Sequence, residues 1–220
     1  MTWTKICGIT NLEDALTALD AGADALGFVF YENSPRKIDP KTARRIVGEL
    51  PATIEKVGVF VNQTAESICA RADEAGLTAV QLHGSDQNPH IADFVMERRP
   101  HLKIIVGISM LHAEPERCAK MWRPEVVHAF LADSGNSSTY GGTGTTFDWQ
   151  TSSPSFEVIA RLGRVVVAGG LNPGNVTDAI RILRPWGVDV SSGVEATPGK
   201  KDPRKVRAFV AAVRNGEKGT

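Results

Sequence analysis

The chain has 220 residues, 42% of them hydrophobic, and its 25 Lys plus Arg are balanced by 25 Asp plus Glu. This length suits one sizeable domain spanning 1–220, and zero net charge gives no overall field for nucleic acid or an anionic membrane, so any anion site must be local. No apolar run reaches the roughly 18 residues of a spanning helix, and Met1-Thr2-Trp3-Thr4-Lys5 lacks the apolar stretch of a signal peptide, so the expected compartment is the cytoplasm.

The first β-rich run, residues 4–9, ends in Lys5-Ile6-Cys7-Gly8-Ile9-Thr10, and a helix signal follows in which Asn11 caps and Glu13 and Asp14 fill the first turn. Further runs fall at 25–30, 56–61, 79–83, 103–108, 126–132, 164–168 and 187–191, with helix-like segments between most of them. Eight such units, at roughly 27 residues each, match a closed (β/α)8 barrel, although an open doubly wound sheet shares the same alternation. The pattern is weakest over 111–124, which holds two prolines, and over 143–156, rich in Gly, Thr and Ser; a poor fifth helix and a mobile sixth loop are expected. The Gly-Glu-Lys-Gly-Thr tail reads as a frayed terminus.

Chemistry-bearing residues recur where these runs end. In a parallel barrel those ends share one rim. Cys7, Cys69 and Cys118 are an odd set without a CxxC pair, so neither a disulfide framework nor a metal site is expected; Cys69 and Cys118 lie in helix-like stretches as small hydrophobes. Cys7 stands apart: it shares a strand face with Lys5 while Ile6 points the other way. It is a candidate base or nucleophile whose thiol needs a nearby cation, which Lys5 is expected to supply, or else a packing thiol; Lys5 has the alternative role of an interior lysine paired with Asp189. Arg36, stiffened by Pro35, is placed to fork onto a carboxylate or to lie solvated. Gln81 and His83 share a face at the end of the fourth run, lining a pocket or satisfying polar groups there.

Asp133 ends the sixth run, as a proton donor whose pKa would have to rise about three units or as a turn aspartate with Ser134. Gly141-Gly142-Thr143-Gly144 fails the dinucleotide pattern because no third glycine falls in register; Gly142 and Gly144 suit a lid lending amides to a phosphate, or a loose loop. Gly169-Gly170-Leu171-Asn172-Pro173 and Ser191-Ser192-Gly193 follow the last two runs, where barrels bind phosphate, and Asn172 with Pro173 reads as a helix start with exposed amides.

The runs Lys5 to Thr10, Ser34-Pro35-Arg36, Gln81-Leu82-His83-Gly84, Gly141 to Trp149, Gly169 to Pro173 and Val188 to Glu195 resemble, in order and spacing, the phosphoribosylanthranilate isomerase family of tryptophan biosynthesis. The resemblance spans nearly the whole chain and assigns nothing across 111–124 and 134–139. It implies a cofactor-free Amadori rearrangement of N-(5-phosphoribosyl)anthranilate, a small phosphosugar, to 1-(2-carboxyphenylamino)-1-deoxyribulose 5-phosphate. By the family's pattern Cys7 is the general base, Asp133 the general acid, and Arg36 the holder of the anthranilate carboxylate. The glycines and serines of the last three loops fall at its phosphate site, and no metal is implied. Two rivals remain at this point: a neighbouring phosphosugar barrel of the histidine pathway or indole-glycerol-phosphate synthase type, and a phosphosugar-binding barrel without turnover.

Overall fold

A computed structural model of the chain describes residues 1–84, 88–135 and 146–217. Eight strands, β1 (Trp3–Cys7), β2 (Ala25–Val29), β3 (Glu55–Val61), β4 (Ala79–His83), β5 (Lys103–Ser109), β6 (Ala129–Asp133), β7 (Val165–Val167) and β8 (Gly187–Val190), alternate with helices. The helices are α1 (Leu12–Asp20), α2 (Pro40–Gly48), α3 (Ala65–Ala75), α4 (His90–Arg98), α5 (Pro115–Lys120), α6 (Trp149–Leu162), α7 (Val176–Leu183) and α8 (Pro203–Gly216). Each strand pairs in parallel with the next and β8 returns to β1, so the sheet closes and the open-sheet alternative falls away.

Within each strand, side chains alternate between the barrel interior and the helix layer. Trp3, Ala25, Val57, Ala79, Ile105, Ala129 and Val166 pack together inside the lower barrel. Their neighbours Leu26, Val80, Ile104, Phe130 and Val188 pack outward under the helices. Covered on both faces, the strands read as nearly continuous apolar runs, as parallel strands should. Nearer the carboxyl ends the interior turns polar: Lys5, Gln81, Asp133 and Asp189 are all buried. This polar upper layer is what the apolar floor supports.

Side-chain caps set the helix starts. Asn11 Oδ1 accepts from the Asp14 amide, Asp39 from Thr42 and Thr64 from Ser67. The fifth helix is short, as expected, at six residues. Three expectations need correction. β6 begins at Ala129 rather than 126, because the Val126 amide closes a turn onto Arg123 O just after Pro124. The segment read as a loop to 156 is helical from Trp149, since Asp148 Oδ1 takes the amides of Gln150 and Thr151 while Phe156 and Ile159 anchor the buried face. α7 begins at Val176, not at Pro173: Asn172 turns its side chain onto the Gly174 amide at 2.8 Å, and Asn175 takes the Asn172 amide at 2.8 Å. Those amides are therefore spent inside the loop.

After β8 comes a short 3-10 turn, Ser192–Val194, and then an antiparallel hairpin, β9 (Glu195–Thr197) and β10 (Lys200–Lys201), that precedes α8. Gly199 turns its tip at φ +81°, a left-handed conformation that favours glycine.

Candidate active site

An open cavity of about 730 Å³ lies over the carboxyl ends of the strands. Cys7, Arg36, Gln81, His83, Asp133, Gly169, Gly170, Asp189, Ser191 and Ser192 all line it. Residues separated by up to the full turn of the barrel thus share one space, because every parallel strand ends on the same rim.

Cys7 is the last residue of β1 and sits opposite Gly27 in the β1–β2 register. A Cβ on Gly27 would stand 2.7 Å from Cys7 Sγ and 3.1 Å from Lys5 Cε, so the missing side chain makes the room that the thiol occupies. Lys5 lies two residues back along the strand, fully buried, with Nζ 2.9 Å from Asp189 Oδ1. Burial alone would lower the pKa of this lysine, yet Asp189 and the negative charge that Cys7 carries as a thiolate together hold it above the ordinary value. For Cys7 burial is also the largest influence and pushes the thiol upward; Lys5 and, further down, Lys201 work against it. Lys5 therefore does act in the expected direction, but the thiol's net displacement is up rather than down. The paired role with Asp189 holds at the same time.

Asp133 ends β6 with its carboxyl aimed at the cavity. Burial pushes its pKa up, and the Gly135 and Ser134 amides pull back less strongly. The Gly135 contact measures 3.2 Å to Oδ1. Gly169, at φ +82°, lets the β7–α7 loop pass so closely that a Cβ there would lie 2.6 Å from Asp133 Oδ1. Gln81 and His83 meet through Gln81 Nε2 and His83 Nε2 at 2.5 Å, on the face predicted for them. His83 sits over Gly107, whose Cβ would fall 2.5 Å from the ring, and burial, helped by the Lys5 charge, holds the imidazole down to about 4. It is a neutral ring at physiological pH. Gln81 Oε1 is buried with no hydrogen-bond partner among the described residues.

On the opposite side Gly169, Gly170, Ser191 and Ser192 form the rim. Ser191 Oγ is likewise buried without a partner among the described residues. Gly193 stands behind this rim, packed so tightly on the Leu171 carbonyl that no Cβ fits; it joins the two loops. Arg36 does fork onto a carboxylate, but one belonging to the chain: Nε and Nη2 each donate to Glu195 at 2.8 Å. Gly142 and Gly144 lie outside the described residues.

Glu195 and Lys201 went unassigned in the sequence analysis although both are buried against the site. The signal available was Pro198-Gly199, a turn dipeptide between charged residues, which marks a hairpin after the eighth strand. Among the described residues no cluster of three or more His, Cys, Asp or Glu could hold a metal, and no helix is long and apolar enough to cross a membrane.

Residues 4–212 match the family model described as N-(5′-phosphoribosyl)anthranilate isomerase. A protein of that description from Geobacter sp. (strain M21) is 46% identical over 215 residues, covering 97% of this chain and 98% of its own. The crystal structure of phosphoribosyl anthranilate isomerase from Thermotoga maritima is 44% identical, with a TM-score of 0.86 over 98% of this chain and 100% of that one. A further isomerase structure, in complex with reduced 1-(o-carboxyphenylamino)-1-deoxyribulose 5-phosphate, is 42% identical, with a TM-score of 0.83 over the same shares.

Proposed function

The chain belongs to the N-(5′-phosphoribosyl)anthranilate isomerase family and is an isomerase of tryptophan biosynthesis, and we propose that Cys7 is its general base and Asp133 its general acid. The substrate is N-(5-phosphoribosyl)anthranilate. Asp133 donates its proton to the ribose ring oxygen as the C1–O bond breaks, and the anthranilate nitrogen lone pair forms the protonated Schiff base. The Cys7 thiolate then takes the proton from C2, the released electrons form the C1–C2 double bond, and the nitrogen is neutralised. Return of a proton to C1 with loss of the C2 hydroxyl proton completes 1-(2-carboxyphenylamino)-1-deoxyribulose 5-phosphate. Hydrogen moves from C2 to C1 within one molecule, so the balance closes without an external oxidant or reductant.

The observation that carries this reading is the convergence of Cys7 and Asp133 on one cavity from strands at different points of the barrel. Burial raises Asp133, which suits a group that must hold a proton until the ring opens. Burial also raises Cys7, and the Lys5 and Lys201 charges work against that rise in favour of the thiolate. The partnerless Ser191 Oγ, with Ser192, Gly169 and Gly170, supports placing the phosphate at that rim, and Gly193 supports the rim from behind. Arg36 receives the anthranilate carboxylate, while Gln81, His83 and Asp189 shape the pocket around the sugar. The same reading takes the whole of 1–220 as one catalytic domain acting in the cytoplasm on a small phosphosugar.

Anthranilate fluorescence during conversion by purified protein tests the reading. A rate well above the spontaneous one is expected. A rate equal to it would favour a binding barrel without turnover, and faster conversion of the histidine-pathway aminoaldose would favour the neighbouring isomerase.

A further inference from the structure

The hairpin β9–β10 brings a second cation to the carboxylate that holds Arg36. Glu195 Oε1, already engaged by Arg36 Nε, also accepts from Lys201 Nζ at 3.0 Å and from the Gly199 amide at 3.3 Å. The side chains of Arg36, Glu195 and Lys201 are 12%, 5% and 0% exposed, so water averages away little of their charge. Lys201 Nζ reaches the Ser191 carbonyl at 3.2 Å as well, tying the hairpin to the anion rim. The hairpin is pinned from outside: Asp14 takes the Lys201 backbone amide at 2.8 Å, and the Thr10 hydroxyl donates to Gly199 O at 2.6 Å.

Counting charges gives this arrangement a purpose. A guanidinium forked onto a carboxylate is by itself a neutral pair with little attraction for a further anion. Here two cations share one carboxylate, which leaves one positive charge in excess. Asp189 is matched by Lys5; nearby, Asp14 on the Lys201 amide adds one negative charge and Lys205, donating to Glu195 O at 2.8 Å, adds one positive, so the excess of one stands. Of the three side chains only Arg36 lines the cavity, so the excess is presented there. Burial lowers the pKa of Lys201, and Glu195, whose Oε1 lies 3.0 Å from Nζ, draws it part of the way back and favours the ammonium.

We propose that Glu195 and Lys201 are positioning residues for the ligand's carboxylate: Glu195 fixes the plane of the Arg36 guanidinium, and Lys201 cancels the charge of Glu195 so that Arg36 keeps its pull on an anion. The inference rests on the reading that Arg36 receives the anthranilate carboxylate.

The test is a ratio of affinities, measured by calorimetry, for reduced 1-(2-carboxyphenylamino)-1-deoxyribulose 5-phosphate and for its phenylamino counterpart lacking the carboxylate. Arg36→Met should collapse the ratio seen in the unmodified protein. Lys201→Met should lower it about tenfold, about 1.4 kcal/mol, while the carboxylate-free ligand binds within about twofold of normal and KM for substrate moves more than kcat. The double variant Glu195→Gln with Lys201→Met restores one excess positive charge and should recover part of the ratio, whereas two purely structural losses would add. If Lys201→Met fails to bind either ligand, Lys201→Gln, which keeps a donor for Glu195 and Ser191 O, should show the same tenfold loss. An unchanged ratio in the Lys201 variants, or no recovery in the double variant, overturns the inference and leaves the Arg36 assignment standing. An unchanged ratio in Arg36→Met removes that assignment and the inference together.

Discussion

The Cys7 thiol has its place in the cavity only because a neighbouring residue has no side chain. Gly27 leaves the space that Sγ fills, and Gly107 does the same for His83. Gly27→Ala should push Sγ out of position, with kcat falling about tenfold or more while product-analogue affinity changes little; overpacking costs about 1–3 kcal/mol, read from urea midpoints. His83 gives a pH signature. Its folded pKa of about 4 lies below the ordinary 6.5, so the unfolded chain takes up a proton first as pH drops. The stability it contributes is complete above about 6.5 and is lost as pH falls towards 4. His83→Gln should remove a loss on the order of 2 kcal/mol between pH 7 and 4.5 relative to the unmodified protein, and parallel curves for the two proteins would contradict it. Cys7 with Lys5 and Gln81 with His83 were legible as pairs because a strand's alternation tells which side chains share a face, and Asp133 because it ends its run at the rim. The direction of the Cys7 pKa was not, since burial depends on everything stacked around the thiol and not on Lys5 alone.

Elements were legible where local chemistry and packing agree. Asn11 before an acidic first turn marks α1, and eight apolar runs mark eight strands within a few residues. Errors fell where polar side chains redirect the backbone. Asn172 and Asn175 consume amides that would otherwise begin α7 earlier, and Asp148 starts α6 inside a stretch whose composition reads as loop. That cap is a measurable contribution: Asp148→Ala should cost about 1 kcal/mol of stability, a few degrees in melting temperature, with kcat/KM for substrate changed less than about threefold. A melting temperature unaffected by the change would mean that α6 is held by Phe156 and Ile159 alone. The hairpin β9–β10 escaped notice because its strands are three and two residues long, too short for periodicity to register.

For the whole barrel the site and the closure of the sheet are linked. Lys5 on β1 and Asp189 on β8 are directly paired in register, so the ion pair at 2.9 Å lies across the seam where the last strand meets the first. Lys5→Met would leave the Asp189 carboxylate buried and unmatched, at a cost of about 3–5 kcal/mol in urea unfolding, and should raise the pKa of Cys7 in a thiol-alkylation titration. An unchanged titration would mean that Lys5 serves the seam only. That the strands close at all could be expected from the count of units, but which open-rim residues face each other follows from register and stagger, which no run of sequence states. The central claim is that Cys7 and Asp133 move the protons. Single-turnover conversion of N-(5-phosphoribosyl)anthranilate by Cys7→Ser and Asp133→Asn, followed by fluorescence with product-analogue affinity measured alongside, tests it directly. The account predicts at least a hundredfold loss of rate in each variant with affinity retained, and near-full turnover in either one would contradict it.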